Sequence, residues 1–166
     1  SLDALRKYSE AARRNAVGDS RAVDLAREAI AIDSTFVTAW SLLGGTLSNY
    51  GGTQSQIDSA LTQAYRYRDK VPRLERDLIT GRHFALGPGH DRAKAIAVYQ
   101  AILDRGDTTA QALINLGERL RERREFARAE SLNTIATRLT TTGTGTSLGN
   151  ITEMQLNQGK FREAAA

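Results

Sequence analysis

Two eight-residue figures constrain this chain more than any other feature. Trp40-Ser-Leu-Leu-Gly-Gly-Thr-Leu47 reads W-x2-L-G-x2-L, and Leu113-Ile-Asn-Leu-Gly-Glu-Arg-Leu120 reads L-x2-L-G-x2-L. The bulky residues fall at helical spacing, so each figure marks the packed face of a helix. Glycine inside a helix costs stability relative to alanine. It is expected where a second helix comes so close that a larger side chain would wedge the two apart. A chain that repeats this figure is expected to pack helix against helix.

The rest of the sequence falls around these two stretches. Helices are expected over 2–17, 21–32, 36–50, 55–67, 72–86, 92–104, 110–123, 126–139 and 148–158, with a tenth opening at 160. Turns are expected at 18–20, 51–53, 87–91 and 106–108, each carrying glycine, with a longer loop over 140–147. Pro72 suits the first turn of its helix, and Asp91 reads as a helix cap. Small residues at Ala11, Gly44, Gly81, Gly117 and Thr152 are spaced by 33, 37, 36 and 35 positions. Between them runs a second pattern: Ala22-x3-Ala26-x2-Ala29, Ala95-x3-Tyr99-x2-Ile102 and Ala129-x3-Asn133-x2-Ala136. Ile57, Ala60, Leu61 and Ala64 form a comparable face. Each helix pair would expose an apolar stripe that it cannot bury alone, and stacked neighbours would bury it.

Composition narrows the function classes. With 166 residues, 40% hydrophobic and 25% charged, the chain suits a folded domain with a sizeable core. The absence of cysteine excludes disulfides and thiolate metal sites. No apolar run approaches the ~20 residues of a membrane-spanning helix. The start at Ser1 without Met, and an end inside a helical pattern, lead us to expect a piece of a longer protein. The piece itself is expected in the cytoplasm, with a membrane anchor of the parent protein outside it as the alternative.

Catalytic, cofactor and metal sites are not expected. His83 and His90 are the two histidines, and neither stands in a metal-ligand spacing. Gly143-Thr-Gly-Thr-Ser147 lacks the lysine and preceding strand of a phosphate loop. The net charge of +4 comes with two basic groups, Arg66, Arg68, Lys70, Arg73, Arg76 and Arg82, then Arg119, Arg121, Arg123, Arg124 and Arg128. Both are interleaved with Asp69, Glu75, Asp77, Glu118, Glu122 and Glu125, the pattern of a solvated helix face. Nucleic-acid binding is therefore disfavoured.

The two glycine figures, with Ala129-x3-Asn133-x2-Ala136 behind the second, resemble the tetratricopeptide repeat signature W-x2-L-G-x2-Y…A-x3-F. The resemblance extends over nearly the whole chain and is most specific in its second and fourth repeats. It implies a single all-α domain, a right-handed α-α superhelix of about ten antiparallel helices. The repeats would span 1–34, 35–71, 72–107, 108–143 and a partial 144–166. It further implies a scaffold that binds a protein or peptide partner in a concave face lined by the first helix of each repeat. Carried over position by position, that face would include Ser41, Gly45 and Ser48, then Glu75, Leu78 and Arg82, then Gln111, Ile114, Glu118 and Arg121. Gly45 and Glu118 depart from the family subtype that grips a C-terminal carboxylate, so that specificity is not implied. Ser1-Leu-Asp-Ala-Leu5 and Tyr67-Arg-Asp-Lys-Val-Pro-Arg-Leu-Glu-Arg-Asp-Leu-Ile-Thr-Gly81 also resemble the repeat regions of bacterial eukaryotic-like serine/threonine kinases, adenylate cyclases and transcriptional regulators. This points to a module of a signalling protein. A structural or dimerising arm is the alternative, and a basic nucleic-acid-binding solenoid a more distant one.

Overall fold

A computed structural model describes residues 1–140, and among them every regular element is helical. In chain order these are α1 (Leu2–Ala16), α2 (Ala22–Ile32), α3 (Val37–Asn49), α4 (Gln54–Arg66), α5 (Arg73–Leu86), α6 (Arg92–Asp104), α7 (Ala110–Glu122) and α8 (Phe126–Leu139). The eight helices expected before residue 140 are all present, each within two residues of its expected bounds. A single 3-10 turn, Arg68–Lys70, was not expected. The loop expected over 140–147, the helices expected at 148–158 and from 160, and Thr152 lie outside the described residues, save Thr140 itself. None of the described helices is long and apolar enough to cross a membrane.

The helices pack in consecutive pairs: α1 with α2, α3 with α4, and α7 with α8. In the first part of the chain α2 also packs on α3 and α4 on α5, while α3 touches both α1 and α5. The described residues form two compact units, Ser1–Ala95 and one that begins at Ile96, with the division inside α6.

Local capping sets where the helices begin. The Ser1 hydroxyl caps α1. Thr53 and Gln56 form a reciprocal capping box at α4, and the Thr109 hydroxyl accepts from Ala112 N–H at α7. Asp91 accepts from Lys94 N–H at 3.0 Å, the capping role its position suggested. The α1–α2 turn is different. Asp19 does not cap α2 through the second or third helical amide. Its carboxylate instead gathers the Arg21 backbone N–H and the Arg14 and Arg21 guanidiniums. The Arg21 hydrogen bonds hold that carboxyl far below the usual carboxylate range.

Burial follows the sequence pattern closely. Ala22, Ala26 and Ala29, Ile57, Leu61 and Ala64, Ala95, Tyr99 and Ile102, and Ala129, Asn133 and Ala136 are all buried. They occupy the same relative positions in α2, α4, α6 and α8, one apolar stripe per helix. In the first unit a cluster built from α1 to α4 meets a smaller one of Val37, Ala64 and Ile79. Trp40 packs against both, while its indole N–H donates to the Ser34 carbonyl at 2.9 Å. In the second unit Leu113, Ile114 and Ala136 are buried against Leu103, Ala110 and Leu132.

The glycines of the two figures sit at the closest approaches. A Cβ on Gly44 would stand 2.6 Å from Cγ of Leu61 on α4 and closer still to one of its methyls. A Cβ on Gly117 would stand 2.6 Å from Nδ2 of Asn133 on α8. Helix propensity alone would make Gly44→Leu stabilising. Given this contact, it is expected instead to destabilise by about 1–3 kcal/mol, read from the urea unfolding midpoint. Leu61→Ala, costly by itself, should cost less in the Gly44→Leu background than alone.

Candidate functional site

α3 and α5 lie side by side in the first unit, and one arginine joins them. Arg82 reaches from α5 to α3, where its Nη1 donates to the Ser41 hydroxyl at 2.8 Å and to the Ser41 carbonyl at 3.0 Å. Ser41 is buried, at 4% exposure. One turn further on, Gly45 gives the guanidinium room: a Cβ there would meet Nε at 3.4 Å and Cζ at 3.5 Å. Anything longer than alanine would push the arginine aside. Ser48, the next residue of that helical row, is exposed. On α5, Leu78 lies one turn before Arg82 and is half-buried, with Glu75 three residues earlier in the first turn.

This leaves Arg82 in an unusual chemical state. The guanidinium has five N–H donors in a fixed fork. Nη1 is committed to Ser41. The Nε–Nη2 edge has no acceptor among the described residues, and no carboxylate there lies within ion-pairing distance. Among other half-buried arginines, Arg14 meets the carboxylates of Glu10 and Asp19 and Arg76 that of Asp77. Arg68, like Arg82, meets a backbone carbonyl, that of Tyr65 at 2.7 Å. The Nε–Nη2 edge is the side that takes a carboxylate through two parallel hydrogen bonds. Its position over Ser41 and Gly45 holds it ready.

The expected partner-facing residues of the second unit are placed differently. Ile114 is 7% exposed and belongs to the core of α7 and α8, so in this conformation it offers no contact to a partner. Its position in the glycine figure gave it to the open face. It shares a buried cluster with Leu113 and Ala136, against which Leu132 packs. Glu118 pairs with Arg119, and Arg119, itself buried, also pairs with Glu122 at 3.0 Å. Gln111 is exposed and donates to Asn115 at 2.9 Å. Arg121 is half-buried in the last turn of α7. Ser41 likewise is buried, and it acts through Arg82 rather than by contact.

The basic run 66–70 is also resolved into local pairs. Arg66 and Lys70 stand over the Tyr67 ring at 5.4 Å and 4.6 Å, and Arg68 over Tyr65 at 3.8 Å. These tyrosine faces are occupied by the chain's own cations. Among the described residues no group of three His, Cys, Asp or Glu side chains could hold a metal ion.

His83 is the feature the sequence did not mark. It follows Arg82 on α5 but turns toward α4, where it is 9% exposed and stacked on Tyr65 with ring centroids 4.0 Å apart. The available signal was the Gly87-Pro-Gly89 turn four residues on, which closes over the ring.

No protein-family model matches this chain, and no curated protein matches it. Its chemistry is read from the residues alone. If the Arg82–Ser41 contact is a local clamp and not a support of the fold, Arg82→Met should retain full helicity by circular dichroism. It should also stay within about 1 kcal/mol of the parent in urea unfolding, the usual worth of one hydrogen bond.

Proposed function

We propose that this chain is a binding module of the tetratricopeptide-repeat type, with no reaction of its own. It holds a segment of a partner protein against the faces of α3 and α5. The observation that supports this most is the uncommitted Nε–Nη2 edge of Arg82, half-buried over Ser41 and Gly45. A fixed cation without a carboxylate of its own is suited to an acidic side chain from outside. The small residues Ser41 and Gly45 seat the guanidinium, and Leu78 offers an apolar contact beside it. Affinity would come from a few anchors of this sort and orientation from the charge.

The wider setting follows the sequence resemblance. The module would belong to a bacterial signalling protein of the kinase or cyclase type and work in the cytoplasm. Nucleic acid is disfavoured by the tyrosines at 65 and 67, whose faces carry Arg66, Arg68 and Lys70 and are not offered to bases.

Peptide display against the 1–166 chain, with depletion on an Arg82→Glu variant, tests the reading. Selected peptides should contain an Asp or Glu at a common position. Arg82→Glu should weaken them about ten-fold or more, as for loss of one charge-assisted hydrogen bond worth ~1.5–3 kcal/mol. Adding Arg121→Glu shows whether the second unit contributes. Peptides bound equally by parent and Arg82→Glu would sink the assignment, and so would a selection that yields no common acidic position.

A further inference from the structure

The helix that carries Arg82 inward carries a second device on its other side. His83 is buried within its own unit, at 9% exposure. Tyr65 of α4 stacks on the ring at 13° between planes, and Phe84 meets both rings edge-on at 5.7 Å and 6.1 Å. The connector between α5 and α6 closes the top. A Cβ on Gly89 would stand 2.5 Å from His83 Nε2, and one on Gly87 would stand 3.2 Å from Nδ1. Only a backbone without side chains fits so close. The buried Nδ1 has no hydrogen-bond partner.

Four hydrogen bonds hold this connector down. Gly87 N–H donates to the His83 carbonyl at 3.0 Å, and Asp91 N–H to the Phe84 carbonyl at 2.8 Å. Gln54 on α4 donates to the Leu86 carbonyl at 3.0 Å, and His90 Nδ1 lies 3.0 Å from the Ala85 carbonyl. None of the four is an ion pair.

A neutral imidazole can sit in this enclosure, because only one of its nitrogens carries hydrogen. An imidazolium carries two N–H donors, and the one at Nδ1 would have no acceptor. The charges around it do not compensate. Asp58 on α4 favours the charged ring, but Arg68 opposes it, and burial opposes it most of all. Lys94 of α6 adds a further cation over Phe84 at 5.6 Å. Tyr65 stacks on the ring, and His90 lies in the connector with its Nδ1 near the Ala85 carbonyl.

We propose that His83 is a proton-triggered latch on α5. Taking up a proton lifts the 87–91 connector off α4 and loosens the last turn of α5, which frees Arg82 from its fixed place on Ser41. The latch is a property of the chain alone, whereas its effect on binding rests on the proposed role of Arg82. Burial lowers the His83 pKa from its ordinary 6.5 in the closed form. The opened or unfolded chain therefore takes the proton first as pH falls. The closed form keeps its full stability above about pH 6.5 and loses it progressively below.

Hydrogen–deuterium exchange on the 1–166 chain at about pH 7.5 and about pH 5.5, corrected for intrinsic exchange, reads the latch directly. Amides of 84–91 should exchange several-fold faster in acid, while those of α1 and α2 hold. His83→Phe keeps the stack without the proton and should abolish the response; His90→Gln should retain it. Acid protection unchanged in the parent, or an acid response that survives in His83→Phe, overturns the latch. Because His83→Phe can disturb the fold, the His83 ring is also titrated by NMR. A midpoint below the ordinary value supports the latch, and one at or above it overturns the latch. Peptide affinity at both pH values separates the two readings. Binding insensitive to Arg82→Glu removes the binding site but leaves the exchange result standing. Binding that depends on Arg82 and is unchanged in acid, while the connector opens, removes the coupling.

Discussion

The close approach of paired helices at a glycine is the contact on which this architecture depends. At Gly44 the backbone of α3 meets Leu61 of α4 with no room for a methyl group. At Gly117 the backbone of α7 meets Asn133 of α8 in the same manner. Once the axes are this near, the alanine-rich stripes of the even-numbered helices can be buried completely, because small side chains fill only a narrow gap. Trp40 then has a defined place. It bridges two apolar clusters of the first unit and satisfies its indole N–H on the Ser34 carbonyl, so a large ring is accommodated without an orphaned donor.

α5 shows how such a framework yields a site. Two consecutive residues leave it about 100° apart, as helical geometry requires, and therefore meet different neighbours. Arg82 meets α3 and finds one serine, with no carboxylate among the described residues. His83 meets α4 and finds an aromatic ring. Both are polar groups fixed by the packing of their helix and incompletely satisfied by it. Surface pairs elsewhere, such as Lys7 with Glu28 at 2.6 Å, are exposed and exchange with water at little cost. Arg82 and His83 are held in place by the packing of their helix instead, and this is why α5 attracts the functional reading.

Much of the helical framework was legible in the chain. The triplets beginning at Ala22, Ala95 and Ala129 are buried as their spacing required, and Asp91 caps its helix. Placement of the candidate site was legible only in outline. Arg82 stands beside Ser41 and Gly45 on facing helices, but Ile114 is core and Glu118 is tied to a buried Arg119. A charged residue inside a glycine figure reads as surface. Arg119 escapes that rule because Glu118 and Glu122 lie within reach on its own helix and offset its burial. The Asp19 clamp was missed for a related reason. The turn at 18–20 was expected from its glycine, but the two arginines that converge on Asp19 come from α1 and from the cap of α2.

By itself, then, the sequence determined what is periodic: where each described helix begins and ends, which face of it is apolar, and that Gly44 and Gly117 stand at close approaches. These depend on neighbours within a few positions along one helix, and local geometry is enough to resolve them. Tertiary structure alone decided which polar groups find partners. Ser41 and Arg82 are 41 residues apart, and nothing along the chain pairs them. His83 is enclosed, and its charged form disfavoured, only because α4 and the 87–91 connector close on it. Satisfaction of a buried donor or acceptor is a property of the enclosure, and the enclosure exists only after the helices have packed.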